Sequence, residues 1–429
     1  MTTHDRIATL MHEADTYAKQ GRYSAAESCW RRVLELEHDY APALNFLGAN
    51  ALAKGDLATA AHYLDRAILS APEFAMAHAN RSRVYGAQGR ADEALEAITR
   101  AIAADPASWG AHMERACLLE AAGRRRDAAA SWSLGLAYIP ATAADSPSLQ
   151  PLLSQARQAV KDNQEELRTF LQDRMHGALD GCQSHAELER FRHCLDIVTG
   201  RREFVTARPL VLPYPRLPAI PFFDTSGSDW VPELEAAFPD ILRELQGVLE
   251  HPQDFVPYVQ TEAGAPKGQF DALDRNLDWS ALFLWKNGAR IHRNADRCPL
   301  TESAVQRTPQ NVVNGRAPVV FFSALRPGTH IPPHNGATNT RLTVHLPLVI
   351  PSGCGLRVGD EVREWTPGKV VMFDDTIRHE AWNRSDELRV VLIFDVWHPM
   401  LSTLERELVA STVEGIMSFY GTGADLGEL

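Results

Sequence analysis

The chain has 429 residues, 45% of them hydrophobic and 23% charged, with a net charge of −12. That is the composition of a globular protein, and the length asks for at least two hydrophobic cores. No run approaches the roughly 18 to 20 apolar residues of a membrane span, and the acidic balance disfavours nucleic acid or an anionic membrane as a partner. The N-terminal stretch carries Asp5, Arg6, Glu13 and Asp15 where a signal peptide keeps its apolar run. Six cysteines, Cys29, Cys117, Cys182, Cys194, Cys298 and Cys354, form no CxxC pair. Neither a zinc cage nor a disulfide framework is indicated, and reduced thiols in the cytoplasm are the expectation.

Gly21, Gly55, Gly89 and Gly123 recur every 34 residues. Seven positions earlier stands a small residue (Ala14, Gly48, Ser82, Ala116), five later an alanine (Ala26, Ala60, Ala94, Ala128), and nine later a bulky apolar one (Trp30, Leu64, Ile98, Trp132). Pro72, Pro106 and Pro140 keep the same step. The pattern resembles the tetratricopeptide repeat, in which small positions let the two helices of each hairpin approach closely. It implies an all-α solenoid of four repeats over residues 1–140. Such a solenoid is either a spacer or the surface that captures a protein or peptide.

Residues 141–200 read as capping and linker helices, because Leu149, Leu152, Leu153, Ala156 and Val160, then Leu167, Phe170, Leu171 and Met175, follow a three-and-four spacing. Prolines 209, 213, 215, 218 and 221 then impose an extended connector. A second domain is expected over residues 201–429. It opens with a helix over 230–249 and continues into short β-branched runs at 319–325, 341–350, 355–359, 369–374 and 388–397. Strands of that length and density, separated by Gly, Pro and Asn, indicate a double-stranded β-helix, a small jelly roll of the cupin kind.

His334 is expected in a Pro- and Gly-rich loop before one strand, and His379 just after the turn DDTIR that follows another. At the mouth of a jelly roll two such imidazoles can meet one cation. Arg389 lies ten residues beyond His379 in an apolar strand, sharing a face with Val391 and Ile393. A guanidinium pointing into a barrel needs an anion, either a structural carboxylate or the distal carboxylate of a dicarboxylic acid. Two imidazoles followed by a guanidinium is the order that a non-haem Fe(II), 2-oxoglutarate-dependent oxygenase uses. In RLTVHLPLVI, Arg341, Thr343 and His345 share one face and Leu342, Val344 and Leu346 the other. The usual carboxylate of an iron triad is replaced by Gly336. Asp374 or Asp375 either assists the metal through a water or holds the turn. His330 and His398 read as structural, and Lys286 and His292 as part of a solvated loop.

From about Leu210 to Pro399 the chain resembles the aspartyl/asparaginyl β-hydroxylase family. The likeness is carried by His334-Asn335-Gly336, by DWS at Trp279, FFS at Ser323, PGTH ending at His330, RLTVHL, FDD, the pair His379-Glu380, and DVWHP. It implies Fe(II) held by His334 and His379 without a side-chain carboxylate, since bidentate 2-oxoglutarate brings its own charge and oxygen donors. It also implies a cosubstrate pocket of Trp279, Ser323, Thr343, His345 and Arg389, with Arg341 facing the substrate. Some relatives carry a second arginine where Thr343 stands, which puts carboxylate recognition in question. The activity implied is hydroxylation of the β-carbon of aspartyl or asparaginyl residues in a peptide or protein recruited by the repeats. The same chemistry on a lipid acyl chain or a free amino acid, or a repeat adaptor whose β-domain has lost catalysis, are the alternatives.

Overall fold

A computed structural model of the chain describes residues 2–179, 186–261 and 268–420; Cys182 lies outside them. The chain divides into two compact units, Met1–Arg201 and Arg202–Leu429. The five described cysteines are free thiols. Among the described residues no helix is long and apolar enough to cross a membrane.

The first unit begins with four helix pairs: α1 (Thr3–Lys19) with α2 (Tyr23–Leu36), α3 (Ala41–Ala53) with α4 (Leu57–Ser70), α5 (Ala75–Ala87) with α6 (Ala91–Ala104), and α7 (Trp109–Ala121) with α8 (Arg125–Tyr138). The periodic glycines sit between the helices of each pair with φ of 72° to 79°, a left-handed conformation that closes the helix and that side chains with a Cβ adopt at a cost. The small and bulky positions of the repeat turn out to touch. A Cβ on Gly48 would stand 2.6 Å from Leu64, and Ala116 packs with Trp132. After a short turn of helix, α9 (Ala141–Ala144), the long α10 (Gln150–Leu179) sets Leu153 and Ala156 against Trp132, covering the last repeat, and α11 (Ala186–Val198) follows.

The second unit opens on the extended, proline-rich connector. The helix expected over 230–249 is two helices, α12 (Trp230–Ala236) and α13 (Phe238–Leu249), because Pro239 in the first turn of α13 lacks the N–H that would continue α12. Strands β1 (Val256–Pro257), β2 (Trp279–Lys286) and β3 (Ala289–Arg290) follow, then α14 (His292–Ala295) and α15 (Pro299–Gln306). The remaining strands are β4 (Val320–Leu325), β5 (His330–His334), β6 (Arg341–Val349), β7 (Cys354–Val358), β8 (Glu361–Arg363), β9 (Val371–Phe373), β10 (His379–Asn383) and β11 (Arg389–Trp397), before the closing helix α16 (Thr403–Tyr420).

They form two antiparallel sheets. The larger runs β1-β2-β4-β11-β6-β9, with β3 also paired to β2; the smaller runs β5-β10-β7-β8. Period-2 alternation gives the larger sheet two unlike faces. Leu342, Val344, Leu346, Val390, Leu392 and Phe394 point outward into a core closed by Val231 and Leu234 of α12 and Ile241, Leu245 and Val248 of α13. The inner face meets the smaller sheet in a second core, where Trp279, Leu325 and Phe373 pack on Ile331, Leu356 and Ala381. Arg341, Thr343, His345 and Arg389, all buried, share that inner face. A jelly roll with a helical coat on one side and polar residues between its sheets is the result.

Candidate active site

His334 does not sit in a loop. It is the last residue of β5, and His379 is the first of β10. The segment HIPPH can be a strand despite Pro332 and Pro333 because β5 is the edge of its sheet, where a missing N–H leaves no ladder bond broken. His334 and His379 are direct partners in the antiparallel register, so their side chains leave the same rung on the same face. Their ring centroids stand 3.9 Å apart. Each Nδ1 faces a carbonyl oxygen, that of Pro332 for His334 at 2.8 Å and that of Ile377 for His379 at 3.0 Å. A carbonyl can only accept, so both Nδ1 atoms carry the proton and both Nε2 atoms keep a lone pair. Burial lowers both pKa values, that of His334 well below the usual imidazole range and that of His379 to about 4. Phe270 lies edge-on to His334 and Phe373 to His379. Among the described residues no three or more His, Cys, Asp or Glu side chains converge as metal ligands.

Arg389 is 1% exposed, and burial alone pushes its pKa down, to about 10. Its Nη1 donates to Ser323 Oγ at 3.4 Å, and Ser323 Oγ also accepts from Trp279 Nε1 at 3.1 Å. Trp279, Ser323 and Arg389 thus form one chain across β2, β4 and β11. Arg389 Nε and His345 Nδ1 are buried without a partner. Such orphaned donors beside a cavity are what an anionic ligand with several oxygens would satisfy.

Arg341 is engaged by two carboxylates, Asp395 through a short hydrogen bond and Asp375 at 3.5 Å. Thr343 Oγ1 donates to Asp395 Oδ1 at 3.1 Å. Burial raises the pKa values of both acids against the opposing pull of Arg341, that of Asp395 to about 6. The two aspartates after β9 divide their roles. Asp374 accepts from the backbone and hydroxyl of Thr376 and holds the turn. Asp375 reaches inward, its Oδ1 has no partner, and a Cβ on Gly336 would fall onto its carboxylate. Only glycine leaves room there. The Gly336 N–H also donates to Asp375 O at 2.7 Å, tying the two loops together.

All eight residues singled out from the sequence line one cavity of about 490 Å³. His334, His379, Trp279, Ser323, Thr343, His345, Arg341 and Arg389 therefore occupy a single site. Lys286, expected in a solvated loop, ends β2 and lines the cavity too. His330 is on the surface, bonded to Glu380 at 2.8 Å, and His398 is buried away from the site, accepting from Met400 N. Asp395 was not anticipated, although alternation along β11 puts it on the face of Arg389 and could have found it. Tyr258 and Phe270, which also wall the cavity, come from segments with no motif around them, whereas Phe321 belongs to the FFS segment already singled out and Phe283 to the strand that follows DWS.

The family described as aspartyl/asparaginyl β-hydroxylase matches residues 235–399, and the tetratricopeptide repeat matches 12–73, 47–108 and 80–141. A human aspartyl/asparaginyl β-hydroxylase is 36% identical over 182 residues, covering 41% of this chain. The chain spans only 23% of that relative's length and 24% of the mouse protein of the same name. The ornithine lipid ester-linked acyl 2-hydroxylase of Rhizobium tropici is 35% identical over 46% of this chain and 67% of its own. Among solved structures, a tetratricopeptide protein of Thermus thermophilus is similar to 45% of this chain and 99% of its own, at 20% identity and a TM-score of 0.32.

Burial keeps the histidine pair neutral, so protons compete with a metal only as the pH nears the His379 value of about 4, not near the ~6.5 of a solvated imidazole. Mn(II) affinity, measured by titration, is expected to stay level between about pH 8 and about pH 5.5. An affinity that begins to fall at the solvated value would contradict the buried, neutral pair.

Proposed function

The chain belongs to the aspartyl/asparaginyl β-hydroxylase family, and we propose that it is an Fe(II)- and 2-oxoglutarate-dependent dioxygenase that hydroxylates the β-carbon of an aspartyl or asparaginyl residue in a peptide or protein. The observation that carries this reading is the pairing of two neutral imidazoles in one rung with a buried arginine that, among the described residues, has no carboxylate partner. Two Nε2 lone pairs suit a borderline metal such as Fe(II), and the Nδ1–H bonds to Pro332 and Ile377 hold the rings in the ligating tautomer.

In this reading His334 and His379 hold the metal. Arg389 and Ser323 would take the distal carboxylate of 2-oxoglutarate, with His345 and Trp279 lining the same pocket. Asp375, fitted against Gly336 with its Oδ1 turned to the cavity, would be the acid able to assist the metal through a water. When bound, the metal and the keto acid together supply reductive activation of dioxygen, with succinate and carbon dioxide released and one oxygen atom inserted into a C–H bond. Phe270, Phe373 and Trp279 keep bulk water from the histidines. Arg341, set by Asp395 and Thr343, presents a fixed donor to the substrate group. The reducing compartment that keeps free thiols and Fe(II), the cytoplasm, is its natural setting.

A second substrate reading keeps the chemistry. Tyr258, Phe283, Phe321 and Ile393 give the cavity an apolar wall, and one relative is named for hydroxylating a lipid acyl chain. The repeats favour the protein substrate, since their helix pairs are the kind of scaffold that captures polypeptide.

Three measurements test these assignments. His379→Ala is expected to abolish Fe(II) binding and succinate formation; full turnover in that variant would remove the mechanism. Arg389→Ala should raise the KM for 2-oxoglutarate by about tenfold or more with a smaller effect on kcat, as loss of a bidentate anchor does; an unchanged KM would free Arg389 of that role. Removing residues 1–201 should leave uncoupled 2-oxoglutarate turnover intact and slow a protein substrate more than a short Asp/Asn peptide. Equal rates would take recruitment away from the repeats, and stimulation of succinate formation by an acyl lipid alone would select the second substrate.

A further inference from the structure

Arg389 raises a question that its proposed ligand does not answer: what holds a buried, planar cation in place before an anion arrives. Among the described residues no carboxylate pairs with it, and Ser323 touches it at one nitrogen only. A single hydrogen bond fixes one corner of a guanidinium but leaves its plane free to turn. The second contact comes from Trp365, in the loop between β8 and β9. Its ring lies face-on beneath the guanidinium, with Arg389 Cζ 4.3 Å from the ring centroid. Trp365 is 5% exposed and packs in the core between the sheets with Leu325, Leu356 and Phe373. The His345 ring lies 5.8 Å from it, tilted by 35°. Trp365 Nε1 makes no hydrogen bond, so the ring is held by packing and offers its face.

We propose that Trp365 is a positioning residue for the dicarboxylate cosubstrate: its indole face sets the plane of the Arg389 guanidinium and turns the open edge of the fork toward the cavity. This rests on the reading that Arg389 receives the distal carboxylate of 2-oxoglutarate. A π-face suits the task better than an acidic partner would. It attracts the cation through the ring quadrupole, yet it neutralises no charge and occupies none of the N–H donors that the ligand needs. An aspartate in its place would hold the arginine by competing with the ligand for the same donors. The geometry also accounts for a large aromatic residue in a turn that otherwise carries Thr366, Pro367 and Gly368.

The test is calorimetric titration of 2-oxoglutarate into the Mn(II)-loaded full chain, with Mn(II) affinity measured separately. Trp365→Leu is expected to weaken 2-oxoglutarate by about tenfold or more, the scale of a desolvated cation–π contact, while Trp365→Phe, which keeps a face, recovers to within about threefold of the unmodified chain. Mn(II) affinity should change by less than about twofold in both, because the histidine pair is held by other contacts. In an Arg389→Lys background, whose ammonium has no plane to set, Trp365→Leu should cost far less. Binding by Trp365→Leu equal to that of the unmodified chain, or an equal loss in the lysine background, would overturn the role of Trp365 and leave Arg389 as the anchor. An unmodified chain that binds Mn(II) but not 2-oxoglutarate would overturn the reading of Arg389 itself, and with it this one.

Discussion

One rung of an antiparallel ladder organises the second unit. Because His334 and His379 are register partners between β5 and β10, their rings are brought together by backbone hydrogen bonding, with no need for a helix turn or a long loop to be held in one conformation. Strand pairing is specific to a single residue, since a slip of one position would turn one ring to the opposite face. Their tautomers follow from the same backbone, each Nδ1 being bound to a carbonyl two residues earlier in its own strand or turn. The proposed metal site is thus a property of the sheet rather than of its ligands.

Around that rung the interior holds more charge than a hydrophobic core tolerates unaided, and it uses two different solutions. The charge of Arg341 is met within the protein by Asp375 and Asp395, with Thr343 bonded to the same carboxylate as the guanidinium. Arg389 lies against an indole face and a serine, and among the described residues no carboxylate pairs with it. A closed network of hydrogen bonds rigidifies a wall, whereas a cation without a counter-ion creates demand for one. The contrast agrees with a structural and orienting task for Arg341 and a ligand-binding task for Arg389. It also gives the Thr343 position a physical meaning, since a hydroxyl there completes the Arg341–Asp395 pair.

Gly336 shows why the missing carboxylate cannot be read as a simple deletion. The space beside its Cα is taken by the side chain of Asp375, which comes from the loop before the other histidine. The acid group is present beside Gly336 but reaches it from the loop between β9 and β10. Its free Oδ1 and its raised pKa both follow from burial beside a cavity, and the backbone bond from Gly336 to Asp375 fixes how close it can come.

Much of the fold and of the site was legible in the residues alone, because the signals were local and periodic. The 34-residue step located four helix pairs, since each glycine, small residue and bulky residue serves a contact within one repeat. Alternation in RLTVHLPLVI and LRVVLIFDVW separated the buried polar face from the apolar one, since strand geometry fixes it whatever the partner. Family likeness added Trp279 and Ser323, which no pattern would have chosen. Tertiary structure decided what depends on residues far apart in the chain. The strand character of HIPPH rests on its edge position, and the roles of Asp375, Asp395 and Trp365 rest on partners at Arg341, Arg389 and His345, between 20 and 54 positions away. Pairing across sheets carries no local signature, so those residues become visible only once the chain has closed around them.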